Sequence, residues 1–515
     1  MFGRVAFRVI ARETLRQPKR ASSVTSKLGV DECSSTYGID NASHEANRAT
    51  AKALLTRDFI AKSLYDQQAG YFATKDVINN LPGPLEFGGM LGEMHYRMDV
   101  KKAYESKLSA WMTPVETFSP HFSNALANFI AREIKGAGGT AMGRIGSRSA
   151  AASAPAQPLV LYEAGGGTGT NALNVLNWLR REEPRVYERT EYTIVEISER
   201  LAERQRERVC AAHQNCRVIN ANVLEWGMHG EVDPRPCFFI GMELLDNLPH
   251  DKIAWITPSL GVDEEPPPRN TQGDTKELCE AVVLRTPSGY QEAFRPLRDR
   301  SISELLTFCP ELVSMIKHPE RAETYAGTHE EKSSNFFGKA FTGLFGGVPR
   351  PEYRATFIPT GPLRLMQALH RRLPRHRAIL ADFDSFAGDT ETRGEGPGGR
   401  DDAFNDESLT AFQAPIVSSR DPQTGEVTDH ATYMVELGTV DIFFPTCFHR
   451  LSRMHAGVCS RGAGSVRRGR GLVVKQWEFL EEFADLRATR TISGFNPLLD
   501  DFRNSSMFIS GVVGG

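Results

Sequence analysis

Glu163-Ala164-Gly165-Gly166-Gly167-Thr168-Gly169 lies directly after an apolar run and directly before a helical pattern. Glycines in that place let a chain turn sharply and approach a ligand closely, where α/β sheets bind nucleotides. The spacing is GxGxG, not the GxGxxG of dinucleotide sites, and a carboxylate stands at the entry of the loop. A pyrophosphate would meet Glu163 as an adverse charge. The ammonium and sulfonium of S-adenosylmethionine would not, so Glu163, Gly165, Gly167 and Gly169 are assigned to binding that cofactor. Glu196 ends the next apolar run, where a carboxylate can accept both ribose hydroxyls; the alternative is a solvated carboxylate at a strand end. Asn222, after the third run, stands where an amide can read the adenine amino group.

Glu243-Leu244-Leu245-Asp246 carries two carboxylates three residues apart at the carboxyl end of a fourth run, facing the expected reaction centre. A carboxylate there can hold a guanidinium bidentately, aim one nitrogen at the methyl and favour its nucleophilic form. Glu243 is assigned that role, with Asp246 or Glu116 completing the clamp. The plainer alternative has Glu243 bonding a neighbouring loop and Asp246 capping the following helix.

These residues need a scaffold, and the runs provide one. LVLYEA (159–164), YTIVEI (192–197), CRVINA (216–221), CFFIGM (237–242) and AILADF (378–383) read as strands buried on both faces. Between the first two, Ala172, Leu173, Leu176 and Leu179 recur at helical spacing, and EISERLAERQRERVCAAH reads as another helix. Strand and helix alternate, which predicts a parallel, doubly wound α/β sheet. Met242 and Ile379 are too far apart for one crossover helix, so an inserted substrate-side segment is expected at 256–357. KGAGGTAMGRIGSRSAAASAPAQP (135–158), SLGVDEEPPPRNTQGDTKE (259–277) and GDTETRGEGPGGRDDAFNDES (388–408) have linker composition.

The whole chain has 515 residues with 61 Lys+Arg against 64 Asp+Glu. That balance disfavours a basic nucleic-acid binder, and no apolar run approaches the roughly 18 residues that span a bilayer. Eight scattered cysteines without CxxC spacing suggest neither a disulfide framework nor a zinc site, and the histidines form no ligand set by spacing; no metal is expected. Residues 1–28 hold seven Lys/Arg and one acid, with Arg4, Arg8, Arg12 and Arg16 on one helical stripe. That is the pattern of a mitochondrial transit peptide, whose removal would leave 54 basic against 63 acidic residues.

In order along residues 50–510, the sequence resembles the MidA-like family of mitochondrial methyltransferases. Ser63-Leu64-Tyr65 through Gly70-Tyr71-Phe72 is similar to its ALY…GYY element, and Thr113-Pro114-Val115-Glu116-Thr117-Phe118 to its TSPEIS element. The Gly-rich loop, Ile194-Val195-Glu196-Ile197-Ser198 and Glu243-Leu244-Leu245-Asp246-Asn247-Leu248-Pro249 follow in the family's order. Ile358-Pro359-Thr360-Gly361, Ala381-Asp382-Phe383 and Gln476-Trp477-Glu478-Phe479-Leu480 continue the match. The family's Gly-Pro-Gly-Arg/Lys turn is here Gly165-Gly166-Gly167-Thr168, without the basic residue.

The resemblance implies a class I S-adenosylmethionine-dependent methyltransferase fold in the matrix. It also implies symmetric dimethylation of an arginine on a matrix-arm subunit of complex I, in support of complex I assembly. The expected organisation is a transit peptide (1–28), an N-terminal helical region (29–134) and a linker (135–158). Two halves of the methyltransferase domain (159–255 and 358–515) then flank the insertion. Two other readings remain: a non-catalytic assembly chaperone on the same fold, which intact acids argue against, and an NAD(P)-dependent oxidoreductase, which the loop spacing disfavours.

Overall fold

The computed structural model describes residues 53–78, 81, 83–106, 111–136, 158–226, 230–259, 276–317, 355–385, 414–461 and 471–511. The basic stripe at 1–28 and most of the three linker-like segments lie outside them. Strands are numbered β1–β15 along the chain, and eight helices are labelled α1–α8.

A seven-stranded sheet forms the centre. It is built from β2 (Leu159–Ala164), β3 (Thr190–Glu196), β4 (Cys216–Asn220), β5 (Cys237–Met242), β10 (His376–Phe383), β14 (Leu472–Lys475) and β15 (Ser505–Ile509). Their spatial order is β14-β15-β10-β5-β2-β3-β4. Strands β10, β5, β2, β3 and β4 run parallel, while β15 is antiparallel to both β10 and β14. The chain leaves β2 towards β3 on one side and later returns to β5 on the other. That reversal opens a crevice outside the carboxyl ends of β2 and β5, where α/β sheets take their ligands.

The unalternated runs have a direct cause. Leu159 and Leu161 of β2 enter one core and Val160, Tyr162 and Ala164 the other, so successive side chains are buried on opposite faces. On the first face lie α2 (His121–Ile134), α3 (Thr170–Glu182) and α8 (Gln476–Phe483); on the second lie α5 (Arg300–Phe308), α6 (Thr360–Arg372) and α7 (Phe448–Cys459). Leu161, Ile240 and Ile379 are fully enclosed. Truncating any of them to alanine should cost about 2–5 kcal/mol through lost burial and the cavity left behind.

A second, antiparallel sheet of β1 (Leu54–Leu55), β6 (Asp251–Ile256), β7 (Glu277–Thr286), β8 (Gly289–Pro296) and β9 (Ala355–Ile358) comes from the insertion and from the segment before the core. β6 pairs with β9 from Asp251 to Ala254, so the inserted sheet starts at Asp251, a little ahead of the expected 256. β1 pairs with β7 through Leu54 with Val283, which hangs the N-terminal helix α1 (Thr56–Tyr65) on the insertion. A small sheet of β11 (Ile416–Arg420), β12 (Val427–Asp429) and β13 (Asp441–Phe443) packs against α1, where Phe59, Ile60 and Leu64 share a core with Val440 and Ile442. α4 (Glu199–Gln205) follows β3.

Candidate active site

A cavity of about 670 Å³ opens at the carboxyl ends of β2, β3 and β5, a size within the roughly 300–1,000 Å³ usual for small-molecule sites. Glu116, Glu163, Gly165, Gly167, Glu196, Asn222 and Glu243 all line it. Gly169 and Asp246 do not.

The loop after β2 is left-handed at Gly165, Gly167 and Gly169. A Cβ on Gly169 would stand 2.6 Å from Val209 Cγ2, so this glycine lets the start of α3 pack against the neighbouring segment, outside the cavity lining. A Cβ on Gly167, with φ of 56°, would enter the cavity wall 3.1 Å from Ile78 Cδ1. Side chains with a Cβ pay about 1–2 kcal/mol for that conformation even before the contact is counted.

Glu163 is buried, and both its oxygens are engaged: Asn171 Nδ2 donates to Oε1 and the Tyr192 hydroxyl to Oε2, each at 2.9 Å. It anchors the loop between α3 and β3 while still lining the cavity. Burial pushes its carboxyl up to about 6, and the two donors hold it from rising further. Glu196 accepts from the Ser198 N–H at 3.0 Å and from Gln205 Nε2 at 3.0 Å, and burial pushes it up to about 7. Gln205 Nε2 also donates to the Gly167 carbonyl at 2.8 Å, so α4 ties the acid to the glycine loop. A carboxylate offers about four acceptor sites, so Glu196 keeps capacity for a ribose hydroxyl beside these donors. Asn222 accepts from the Leu224 N–H at 3.0 Å, and its amide group donates to Glu225.

Glu116 comes from the segment before the core and reaches the loop, where the Thr168 hydroxyl donates to it at 2.6 Å. Its carboxyl is raised by burial, against the pull of Thr168, Thr170 and Arg208. The turn lacks a basic residue of its own, yet Arg208 supplies a guanidinium from outside it. Arg208 Nη1 donates to Thr170 Oγ1 at 2.7 Å and to Thr168 Oγ1 at 3.1 Å. Its position 40 residues away hid it from motif reading.

Glu243 is the non-glycine residue with positive φ among the described residues, at 51°. Strain of this kind, on the order of 1–3 kcal/mol, persists where surrounding structure enforces it. The enforcement is visible. The Glu243 N–H donates to the Ala381 carbonyl at 2.9 Å, and the N–H groups of Leu245 and Asp246 donate to Asp382 Oδ2 at 2.8 and 3.0 Å. Asp382, at the end of β10, thus clips the turn after β5, and burial with the charge of Glu243 pushes its carboxyl up to about 7.

Asp246 requires a correction. It is fully buried and does not line the cavity, and no helix starts behind it to be capped. Its carbonyl instead accepts from the Phe444 N–H at 2.8 Å, joining the turn to β13. The turn itself places the next residue, Asn247, on the cavity, where its carbonyl accepts from the Tyr65 hydroxyl at 2.9 Å.

One face of α1 supplies the opposite wall through Arg57, Asp58, Ala61, Lys62 and Tyr65, at spacings that share a helix side. Tyr65 stacks on Phe72, rings 5.7 Å apart and 20° from parallel. Arg57 is held by Asp251 at 2.7 Å and Asp299 at 2.5 Å, and Thr360 donates to the same Asp251. These contacts lock α1 to the inserted sheet and to α6. Seven carboxylates line the cavity (Asp58, Asp66, Glu116, Glu163, Glu196, Glu225 and Glu243) against the cations Arg57, Lys62 and Arg364. That surplus suits a cationic occupant.

Sheet order, glycine loop and strand-end acid together define a class I methyltransferase, and its cofactor is S-adenosylmethionine. Residues 147–463, more than half of the chain, match the family described as "Putative S-adenosyl-L-methionine-dependent methyltransferase", and the chain belongs to that family. It is similar to a Schizosaccharomyces pombe protein named "Protein arginine methyltransferase NDUFAF7 homolog, mitochondrial", 21% identical over 308 residues. The match covers 58% of this chain and 55% of that relative, so the chain spans little more than half the relative's length. Among solved structures, a Burkholderia thailandensis protein bound to S-adenosyl-homocysteine is 17% identical over 92% of both chains, with a TM-score of 0.49. A native crystal structure from the same organism is 16% identical over 92% of both chains, TM-score 0.47. No described helix is long and apolar enough to cross a membrane.

Proposed function

We propose that this chain methylates an arginine side chain of a protein substrate in the mitochondrial matrix, a matrix-arm subunit of complex I, giving symmetric dimethylarginine in support of complex I assembly. The observation that carries the reading is Glu243, held in a left-handed turn over an acid-rich cavity and clipped from beneath by Asp382. The name of the S. pombe relative supports arginine as the target and the mitochondrion as the compartment. The basic stripe at residues 1–28 supports the same compartment.

The division of labour follows the geometry. Glu196 accepts the ribose hydroxyls, Asn222 reads the adenine edge, and Gly165 and Gly167 leave room at the loop. S-adenosylmethionine supplies an electrophilic methyl group. Glu243 accepts charge-assisted hydrogen bonds from the substrate guanidinium and aims one nitrogen along the transfer axis. The nitrogen that gains the methyl loses a proton, and Glu243 is its acceptor. Glu116, on the same cavity, adds negative charge; Tyr65 and Phe72 offer apolar faces to the stem of the arginine.

The test is transfer of labelled methyl from S-adenosylmethionine to arginine-bearing segments of matrix-arm subunits, followed by amino-acid analysis. Label in symmetric dimethylarginine, lost with Glu243→Gln while cofactor binding persists, is the expected result. Label only on lysine or on small molecules would overturn the arginine assignment and leave the methyltransferase class intact.

A further inference from the structure

Far from the cavity, three side chains of metal-binding type meet in the core. His376, His455 and Cys459 are 1%, 1% and 2% exposed, and their ligating atoms all lie within 4.8 Å of one another. His376 opens β10, whereas His455 and Cys459 sit four residues apart on the last turn of α7, hence on one side of it. β10 carries Asp382 six residues further on, which at about 3.3 Å per residue puts the trio roughly 20 Å from the reaction centre.

The tautomer of His376 is set by its surroundings. Its Nδ1 lies 2.7 Å from the Leu373 carbonyl, which can only accept, so Nδ1 carries the proton. The neutral ring then turns the Nε2 lone pair towards His455 Nε2 at 3.1 Å, and Cys459 Sγ lies 3.7 Å from the same His455 nitrogen. An imidazole oriented by a backbone carbonyl through its other nitrogen is the usual supporting arrangement of a metal-ligating histidine.

Two of the three separations approach those around an ion between the ligands. Tetrahedral bonds of about 2.0–2.1 Å to nitrogen and about 2.3 Å to sulfur set N···N near ~3.3 Å and N···S near ~3.6 Å. The observed 3.1 and 3.7 Å fall beside both values, and the remaining pair, within 4.8 Å, closes on the ion as it binds. The carboxyl end of α7 also carries the negative pole of the helix, which favours a cation there.

We propose that His376, His455 and Cys459 form a structural site for a thiophilic transition-metal ion, Zn²⁺ in the first instance, that staples the start of β10 to the end of α7. Binding takes Cys459 as its thiolate and releases its proton to solvent. Spacing along the sequence conceals the site, because His376 is 79 residues from its histidine partner. The competing account is a plain hydrogen bond from His455 Nε2–H to His376 Nε2, with no ion.

The test is elemental analysis of the full chain purified without a metal-affinity column, beside Cys459→Ser and His376→Gln. About one zinc per chain is expected in the parent and at least about tenfold less in both variants. In case the variants fold poorly, a mercurial titration of the parent should release the zinc in step with thiol modification. Cobalt exchanged into the parent should show a thiolate charge-transfer band. A parent chain that holds no metal and takes up none from zinc-supplemented buffer would overturn the proposal, leaving the imidazole hydrogen bond as the explanation. Equal zinc in parent and variants would also overturn it. Methyltransferase activity is not the readout, so the outcome is independent of the function proposed above.

Discussion

The two walls of the cavity are built on different plans. The cofactor wall comes from one stretch of chain, Glu163 to Asn222, and its acids Glu163 and Glu196 are each held by two donors from the chain itself. The substrate wall is gathered from α1, Glu116, the turn after β5 and Arg364, and its key acid sits in a strained turn supported from β10. A wall that must bind the same small molecule every time is local and rigid. A wall that, under the proposed function, admits a protein side chain is gathered from distant parts.

The largest expected effect falls on the cofactor wall. Gly167→Val forces a β-branched residue into a left-handed position against Ile78 and should abolish calorimetric binding of S-adenosylmethionine, an affinity loss of at least about 100-fold. Normal binding by that variant would erase the distinction between the walls. Next comes Glu243→Gln, which keeps shape and removes charge. Turnover should fall about 10–100-fold, the equivalent of about 1.5–3 kcal/mol for a charged hydrogen bond, with cofactor affinity little changed. A matching loss of cofactor affinity would place Glu243 on the wrong wall.

Glu196→Gln should weaken the cofactor about tenfold at pH 7.5 and flatten the pH dependence. The sign follows from its raised carboxyl, at about 7 in the folded chain. The folded state keeps a proton that the unfolded chain releases near pH 4.5, so this contribution to stability is present below about 4.5 and lost as pH rises to about 7. Denaturant unfolding of the ligand-free protein should therefore show stability falling from pH 5 to 7.5, with a shallower slope in Glu196→Gln. A slope unchanged by the substitution would mean that Glu196 is not the titrating group. The smallest effect is expected from Tyr192→Phe, which removes one donor from buried Glu163; chemical denaturation should show a loss of about 1–3 kcal/mol, with cofactor affinity reduced only a few-fold.

The same contrast governs what the sequence discloses. β2 and β5 span the same residues as the apolar runs that predicted them, because strands buried on both faces leave unbroken signals. Glu163, Glu196 and Asn222 share one βαβ neighbourhood, so local spacing places them. The antiparallel sheet of the insertion was not legible, since β1 meets β7 across more than 200 residues of chain. Nor were Arg208, Gln205 and Asp382, whose work is done through contacts with loops far away in sequence. Asp246 misled for a physical reason. The turn at Glu243 reverses the chain so that the residue three places on points into protein, not into the cavity.

The antiparallel strand β15 carries a kinetic consequence. It lies between β10 and β14, hydrogen-bonded to both, yet it ends at Ile509. Phe383 pairs with Ser505, so the edge of β10 is closed only by the far end of the chain. Until β15 docks, β10, all of whose eight residues are buried in the finished fold, has an open edge ready to pair with any other strand. A chain in which β15 is missing or displaced therefore exposes that edge from the middle of its central sheet, and is expected to pair with other chains there.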